Sequence, residues 1–258
     1  WILTNPSNSY SGTTTVGPGA LAIGDNTAIG AGTLVNSNGN IFAYGGDRTI
    51  TNTLSLANNA ANGWIGDFSL TFAGANNFAA GANNITTNNS IVNGKALTFE
   101  GLTADVLTGN RTWTIDGPGE TVVNGNFTTI TGFGVNISKV GNGILTLGTS
   151  GATSNWNQAG ANIDVDRGTL KFTASNAIPI TSATNGGLIL SPEILTTDTA
   201  TLDLNGTSQT VNALTAITDG TVIIDNTSAT AAALRFGANE SVVNFGSGIG
   251  SYPITDSG

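Results

Sequence analysis

The chain has 258 residues, only 9% of them charged, a formal net charge of −9, and no cysteine, histidine or methionine. Disulfide frameworks, thiol nucleophiles, Ser-His-Asp triads and imidazole-ligated metals are thereby excluded. Its seven basic residues, scattered along an acidic chain, argue against nucleic acid or an anionic membrane surface as partner.

Taken in chain order, short alternating or apolar runs appear throughout: TTTV (13–16), ALAI (20–23), RTITNTLSL (48–56), FSLTF (68–72), ALTFEGL (96–102) and RTWTI (111–115). They continue as ETVV (120–123), GILTLG (143–148), NIDVD (162–166), GTLKF (168–172), TLDLNG (201–206), TVIID (221–225), ALRFG (233–237) and SVVNFG (241–246). Most lie close to Gly, Asn, Asp or Ser, the residues that make tight corners between strands. Apolar residues at a 3.6-residue period are scarce, so few helices are expected. Hydrophobic residues make up 39% of the chain, enough for a sizeable core. The polar remainder is mostly uncharged Asn, Thr, Ser and Gly, a mix suited to stacked strands, on which rows of like charge would repel. No apolar run approaches the ~20 residues that span a bilayer as a helix, so no membrane insertion by this segment is expected.

Internal repetition narrows the fold class. Ile2-Leu3-Thr4 recurs as Ile144-Leu145-Thr146, and Val16-Gly17-Pro18-Gly19-Ala20-Leu21 aligns with Val165-Asp166-Arg167-Gly168-Thr169-Leu170. The second copy carries a longer loop around Trp156. Stacked copies of this kind predict an all-β, right-handed parallel β-helix (a β-solenoid) of about ten to twelve coils. It is expected to run continuously over 1–258 as at least two degenerate units, about 1–136 and 137–258. A chain that starts at Trp1 and lacks methionine reads as a piece of something longer.

With those residues in view, ISKVGNGILTLG (137–148), NIDVDRGTLKF (162–172) and TLDLNGTSQTVNALT (201–215) resemble the autotransporter-associated β-strand repeat, also called the passenger-associated transport repeat. That resemblance implies a parallel β-helix in large bacterial surface proteins and no particular activity, although residues 58–93 fit it poorly. One departure is informative. The first copy lacks the Lys-x-Gly-x-Gly lead-in seen at Lys139–Gly143, while Ile254-Thr255-Asp256-Ser257-Gly258 resembles Ile137–Gly141. Complementary ends are therefore expected, with Trp1, Ile2 and Leu3 at one and Ile254, Thr255 and Asp256 at the other, neither bearing an obvious cap. The partners expected are copies of the chain itself, joined head-to-tail, or flanking repeats of a longer parent.

The resulting expectation is a structural extracellular protein, a subunit or segment of a bacterial surface fibre, surface layer or adhesin stalk, with no cofactor, no metal and no catalytic residue. Two alternatives stand beside it. One is a glycan-binding adhesin passenger using the loop 150–160 with Trp156 as an exposed platform. The other is a carbohydrate-active enzyme, which needs paired carboxylates in a cleft; Asp164-x-Asp166-Arg167 is the best local pair, otherwise read as solvent-facing corner charges. Asn-x-Ser/Thr sequons at Asn84, Asn88, Asn110, Asn126, Asn136, Asn205, Asn226 and Asn239 are expected by chance in so Asn-rich a chain. Core stacking between coils is the default expectation for the aromatics, Trp156 included, with the exposed platform as its alternative.

Overall fold

The computed structural model describes residues 1–57, 61–80, 84–104, 108–130, 132–149, 154–156, 160–180, 187–192, 197–216, 220–236, 241–245 and 250–253, the last two stretches as backbone only. Every helix or strand element among them is a β-strand. The first coils carry β1 (Ile2–Leu3), β2 (Thr14–Val16), β3 (Ala20–Ile23), β4 (Leu34–Asn36), β5 (Asn40–Ala43), β6 (Arg48–Ile50) and β7 (Leu54–Leu56). The middle holds β8 (Ala61–Gly66), β9 (Leu70–Phe72), β10 (Asn76–Phe78), β11 (Ile85–Ile91), β12 (Ala96–Phe99), β13 (Leu102–Ala104), β14 (Arg111–Asp116), β15 (Glu120–Val123) and β16 (Phe127–Thr129). Next come β17 (Val135–Lys139), β18 (Ile144–Leu147), β19 (Ile163–Val165), β20 (Gly168–Phe172), β21 (Gly187–Leu190) and β22 (Thr199–Asp203). The chain closes with β23 (Ser208–Val211), β24 (Ala213–Ala216), β25 (Thr221–Asn226), β26 (Ala232–Phe236), β27 (Ser241–Phe245) and β28 (Gly250–Pro253).

These strands stack as a β-solenoid. Sheet A runs β1-β3-β5-β8-β11-β14-β17-β19-β21-β24, all parallel. Sheet B runs β2-β4-β7-β10-β13-β16, and sheet C runs from β6 to β25 in parallel steps before ending on β28. The short repeated runs become rungs because residues one coil apart are direct partners. Trp113, Ile137, Ile163 and Leu188 form one inward row of sheet A; Ile50, Phe72, Phe99, Val123, Leu147 and Phe172 form one of sheet C. The proposed 136/137 division falls inside β17, within a continuous sheet.

The core is a column of apolar side chains with an aromatic centre. Trp64, Phe72, Phe99, Trp113, Phe78, Phe127 and Trp156 contact one another at centroid separations of 5.3–6.3 Å. Edge-on and offset pairs of this kind add to the apolar burial itself. Close coil-to-coil approach is why the corners are glycine-rich: a Cβ at Gly125 would lie 2.0 Å from the Glu100 carbonyl oxygen.

Two readings are decided here. Trp156 follows the core-stacking expectation and not the exposed-platform alternative: it is 1% exposed and stacks on Phe127 at 5.8 Å. The segment 154–156 takes the place of a sheet B strand, with Ser154 Oγ and Asn155 Oδ1 accepting from the Phe127 and Thr129 N–H groups. Turning inward to do so carries the indole into the core. The C-terminal end is also not bare. The chain reverses there, β27 pairing antiparallel with β26 and β28 antiparallel with β25, so sheet C ends on a returning strand. Ile254, Thr255 and Asp256 lie outside the described residues.

Candidate functional site

Three regions have the chemistry to be sites: the corner between sheets A and C over coils β17–β22, the outer face of sheet A beside it, and the N-terminal edge.

The corner gathers Lys139, Asp164, Asp166, Arg167, Ser191 and Asp198. Strand alternation turns Lys139, the last residue of β17, inward, leaving it 1% exposed. Its ammonium donates to the carbonyls of Gly141 and, one coil on, Arg167 at 3.3 Å. Burial pulls its pKa down to about 8, opposed by the Asp116 carboxylate and assisted by the Arg167 cation. The chain passes above this amine at Gly168, whose φ of +76° and distance to Lys139 Nζ (2.8 Å from an added Cβ) require a residue without a side chain.

Asp164 and Asp166 both contact the hydroxyl of Ser191, at 3.1 Å for Asp166. They are joined through that hydroxyl rather than pointing freely into solvent. A hydroxyl has one proton to donate, so the second contact is fully satisfied only when a carboxyl is protonated. Burial and the neighbouring Asp164 charge accordingly raise the pKa of Asp166, against the Ser191 hydrogen bond and Arg167. Arg167 donates Nε–H to the Val140 carbonyl at 2.9 Å and lies 3.7 Å from the buried Asp198 carboxylate. Ser191 stands between the two carboxylates, its hydroxyl in contact with both. No group of three or more Asp or Glu side chains among the described residues is placed to hold a metal ion.

Beside the corner, the outer face of sheet A carries a ladder of asparagines. Asn84, Asn136 and Asn162 lie on one row with Thr112 and Gly187, and Asn110 lies on a parallel row opposite Gly134. Each Oδ1 accepts from a backbone N–H of the following coil: Thr112 (3.0 Å), Gly134 (2.9 Å), Asn162 (3.1 Å) and Gly187 (3.1 Å). The sequons at Asn84, Asn110 and Asn136 are thus lattice positions of the fold. At Asn205 and Asn226 the amide nitrogen, to which a glycan would attach, already donates to the carbonyls of Phe172 and Thr230. The 26-residue spacing of Asn84, Asn110, Asn136 and Asn162 in the sequence does not trace this row, because Thr112 and not Asn110 stands between Asn84 and Asn136.

At the N-terminal edge, the carbonyls of Trp1 and Leu3 accept from Ala22 and Gly24. Strand alternation therefore turns the N–H and C=O of Ile2 to the unpaired side. Trp1 and Ile2 are 95% and 56% exposed. Next to them, Leu3, Tyr10, Thr14, Val16, Pro18 and Leu21 line an open, mostly apolar depression of ~480 Å³. At the other end of sheet A, β24 pairs only with β21 among the described residues.

Comparison with family models, with curated proteins and with solved structures returned no match.

Proposed function

We propose that this chain is a structural protein of a bacterial cell surface, a rigid solenoid segment of a fibre, surface layer or adhesin stalk of the passenger-repeat type, and not an enzyme. The observation that carries this reading is sheet A, ten parallel strands with an unpaired edge at β1 and another at β24 among the described residues. Unpaired strand edges are templates for further pairing. A coil set against β1 would also cover Trp1, Ile2 and the apolar depression beside them. That coil comes either from β24 of another copy or from a flanking repeat of a longer parent. The reversal at β27 and β28 ends sheet C on an antiparallel strand, so among the described residues only sheet A offers a parallel edge in line with the coils at that end. A low charged fraction lets identical surfaces approach.

The test is sedimentation of the chain over a wide concentration range, alongside Ile2→Pro. Proline removes the outward N–H of Ile2 and none that pairs with β3, so it spares the fold. Concentration-dependent growth that the substitution abolishes supports joining between copies. A wild-type chain that stays monomeric at high concentration removes the self-assembly part. The flanking-repeat version is then tested on the longer parent, by protection of the Ile2 amide from exchange.

A further inference from the structure

From the outer face of sheet A we infer a binding groove for neutral carbohydrate chains, lined by strand residues and not by the Trp156 indole, which is buried in the core. The groove is lined by Thr112, Asn136, Ser138, Asn162, Asp164 and Ile189, with Ile137 beneath, and encloses ~360 Å³, within the usual size range of ligand pockets. Its lining comes from four consecutive coils: Thr114, Ser138, Asp164 and Ile189 share one row of the sheet, with the Thr112–Asn136 rung alongside. The polar groups therefore repeat at the ~4.8 Å strand spacing along the solenoid axis.

The chemistry of the lining selects the ligand. The Oδ1 atoms of Asn136 and Asn162 are taken by the backbone N–H groups of Asn162 and Gly187. That holds each amide by its oxygen and leaves the Nδ2 donors of these groove-lining residues without a hydrogen-bond partner among the described residues. Gly187 leaves room for this arrangement, since a Cβ there would meet Asn162 Oδ1 at 2.5 Å. The hydroxyls of Thr112 and Ser138 are equally uncommitted, and Asp164 adds a carboxylate held in place by Ser191. Fixed amide donors, hydroxyls and a carboxylate acceptor match a ligand dense in hydroxyl groups. Ile189 supplies an apolar surface for the C–H face of a sugar ring. The lining has no cation and the chain is acidic, which disfavours phosphate, uronate and nucleic acid. A peptide strand finds no backbone to pair with, because the sheet's own hydrogen bonds run within its plane.

The test uses the 258-residue chain and four neutral probes, maltohexaose, cellohexaose, chitohexaose and mannohexaose, with hexagalacturonate as anionic comparator, followed by protein-observed NMR titration. The decisive variants are Asn136→Asp and Asn162→Asp, which keep the Oδ1 acceptor for the ladder and replace the Nδ2 donor. Circular dichroism checks that the solenoid persists; if either variant unfolds, Ser138→Ala takes its place. The expected result is millimolar or tighter binding of at least one neutral probe, weakened at least tenfold by either aspartate, and no binding of hexagalacturonate. The inference is overturned if no neutral probe shifts the groove amides at 10 mM. Binding that the variants leave unchanged, or equal binding of the anionic oligomer, overturns it as well.

Discussion

Lys139 gives the sharpest thermodynamic test of the packing described above. Its ammonium is buried among the corner carbonyls, and its pKa falls from an ordinary 10.5 to about 8. Between those values the folded chain binds less of a proton than the unfolded chain, so stability rises as pH increases through that window. Below pH 8 the cost of burying the cation is fully present; above 10.5 both states are neutral there and the cost is gone. The 2.5-unit shift corresponds to about 3 kcal/mol at 1.36 kcal/mol per unit. For a chain of this size that is a rise in Tm of roughly 6 °C or more. Lys139→Met keeps the volume and removes the titration. It also leaves the carbonyls of Gly141 and Arg167 without their donor, so its stability at pH 7 is expected to change little. The assay is thermal unfolding of both proteins from pH 7 to 10.5. The difference between the two curves isolates Lys139 from groups common to both. Parallel pH profiles would refute the reasoning, because they would mean that the amine is solvated in the folded state.

Three further outcomes follow from the same structure. Trp156→Ala is expected to lower stability by about 3–5 kcal/mol, as for other buried aromatics, read from thermal unfolding. Asp166→Asn is expected to raise Tm at neutral pH: a raised folded pKa means that Asp166 favours folding only when protonated, an advantage lost as pH rises through that pKa. The gain should vanish below about pH 3.8, where Asp166 is protonated in both states. Gly125→Ala, which places a Cβ 2.0 Å from the Glu100 carbonyl, is expected to cost about 1–3 kcal/mol through overpacking, read from a urea unfolding curve.

The solenoid was legible in the sequence because its determinants are local. Alternating runs such as RTWTI and GILTLG fix which side chains face inward, whereas the two ILT copies are not structural equivalents, since Ile2-Leu3 lies in sheet A and Ile144-Leu145 in sheet C. The corner cluster and the asparagine ladder were harder to see because their partners lie one coil away. Ser191 reaches back to Asp164 and Asp166, and Lys139 forward to Arg167, over 25–28 residues. Read along the chain, Asp164 and Asp166 are ordinary corner charges; only stacking brings Ser191 between them. The exposed-platform alternative for Trp156 fails for a related reason. Its neighbours Ser154 and Asn155 look like loop residues, yet they bond to the open edge of β16 and so draw the loop inward. The reversal of β27 and β28 has no counterpart in the repeat pattern, since SVVNFG reads equally well as a parallel or an antiparallel strand.

The most direct measurement on the central proposal is immunogold electron microscopy of the source cells with an antibody raised against this chain. Labelling along filaments, a surface lattice or stalks outside the cell envelope is the predicted result. Labelling confined to the cell interior would contradict it.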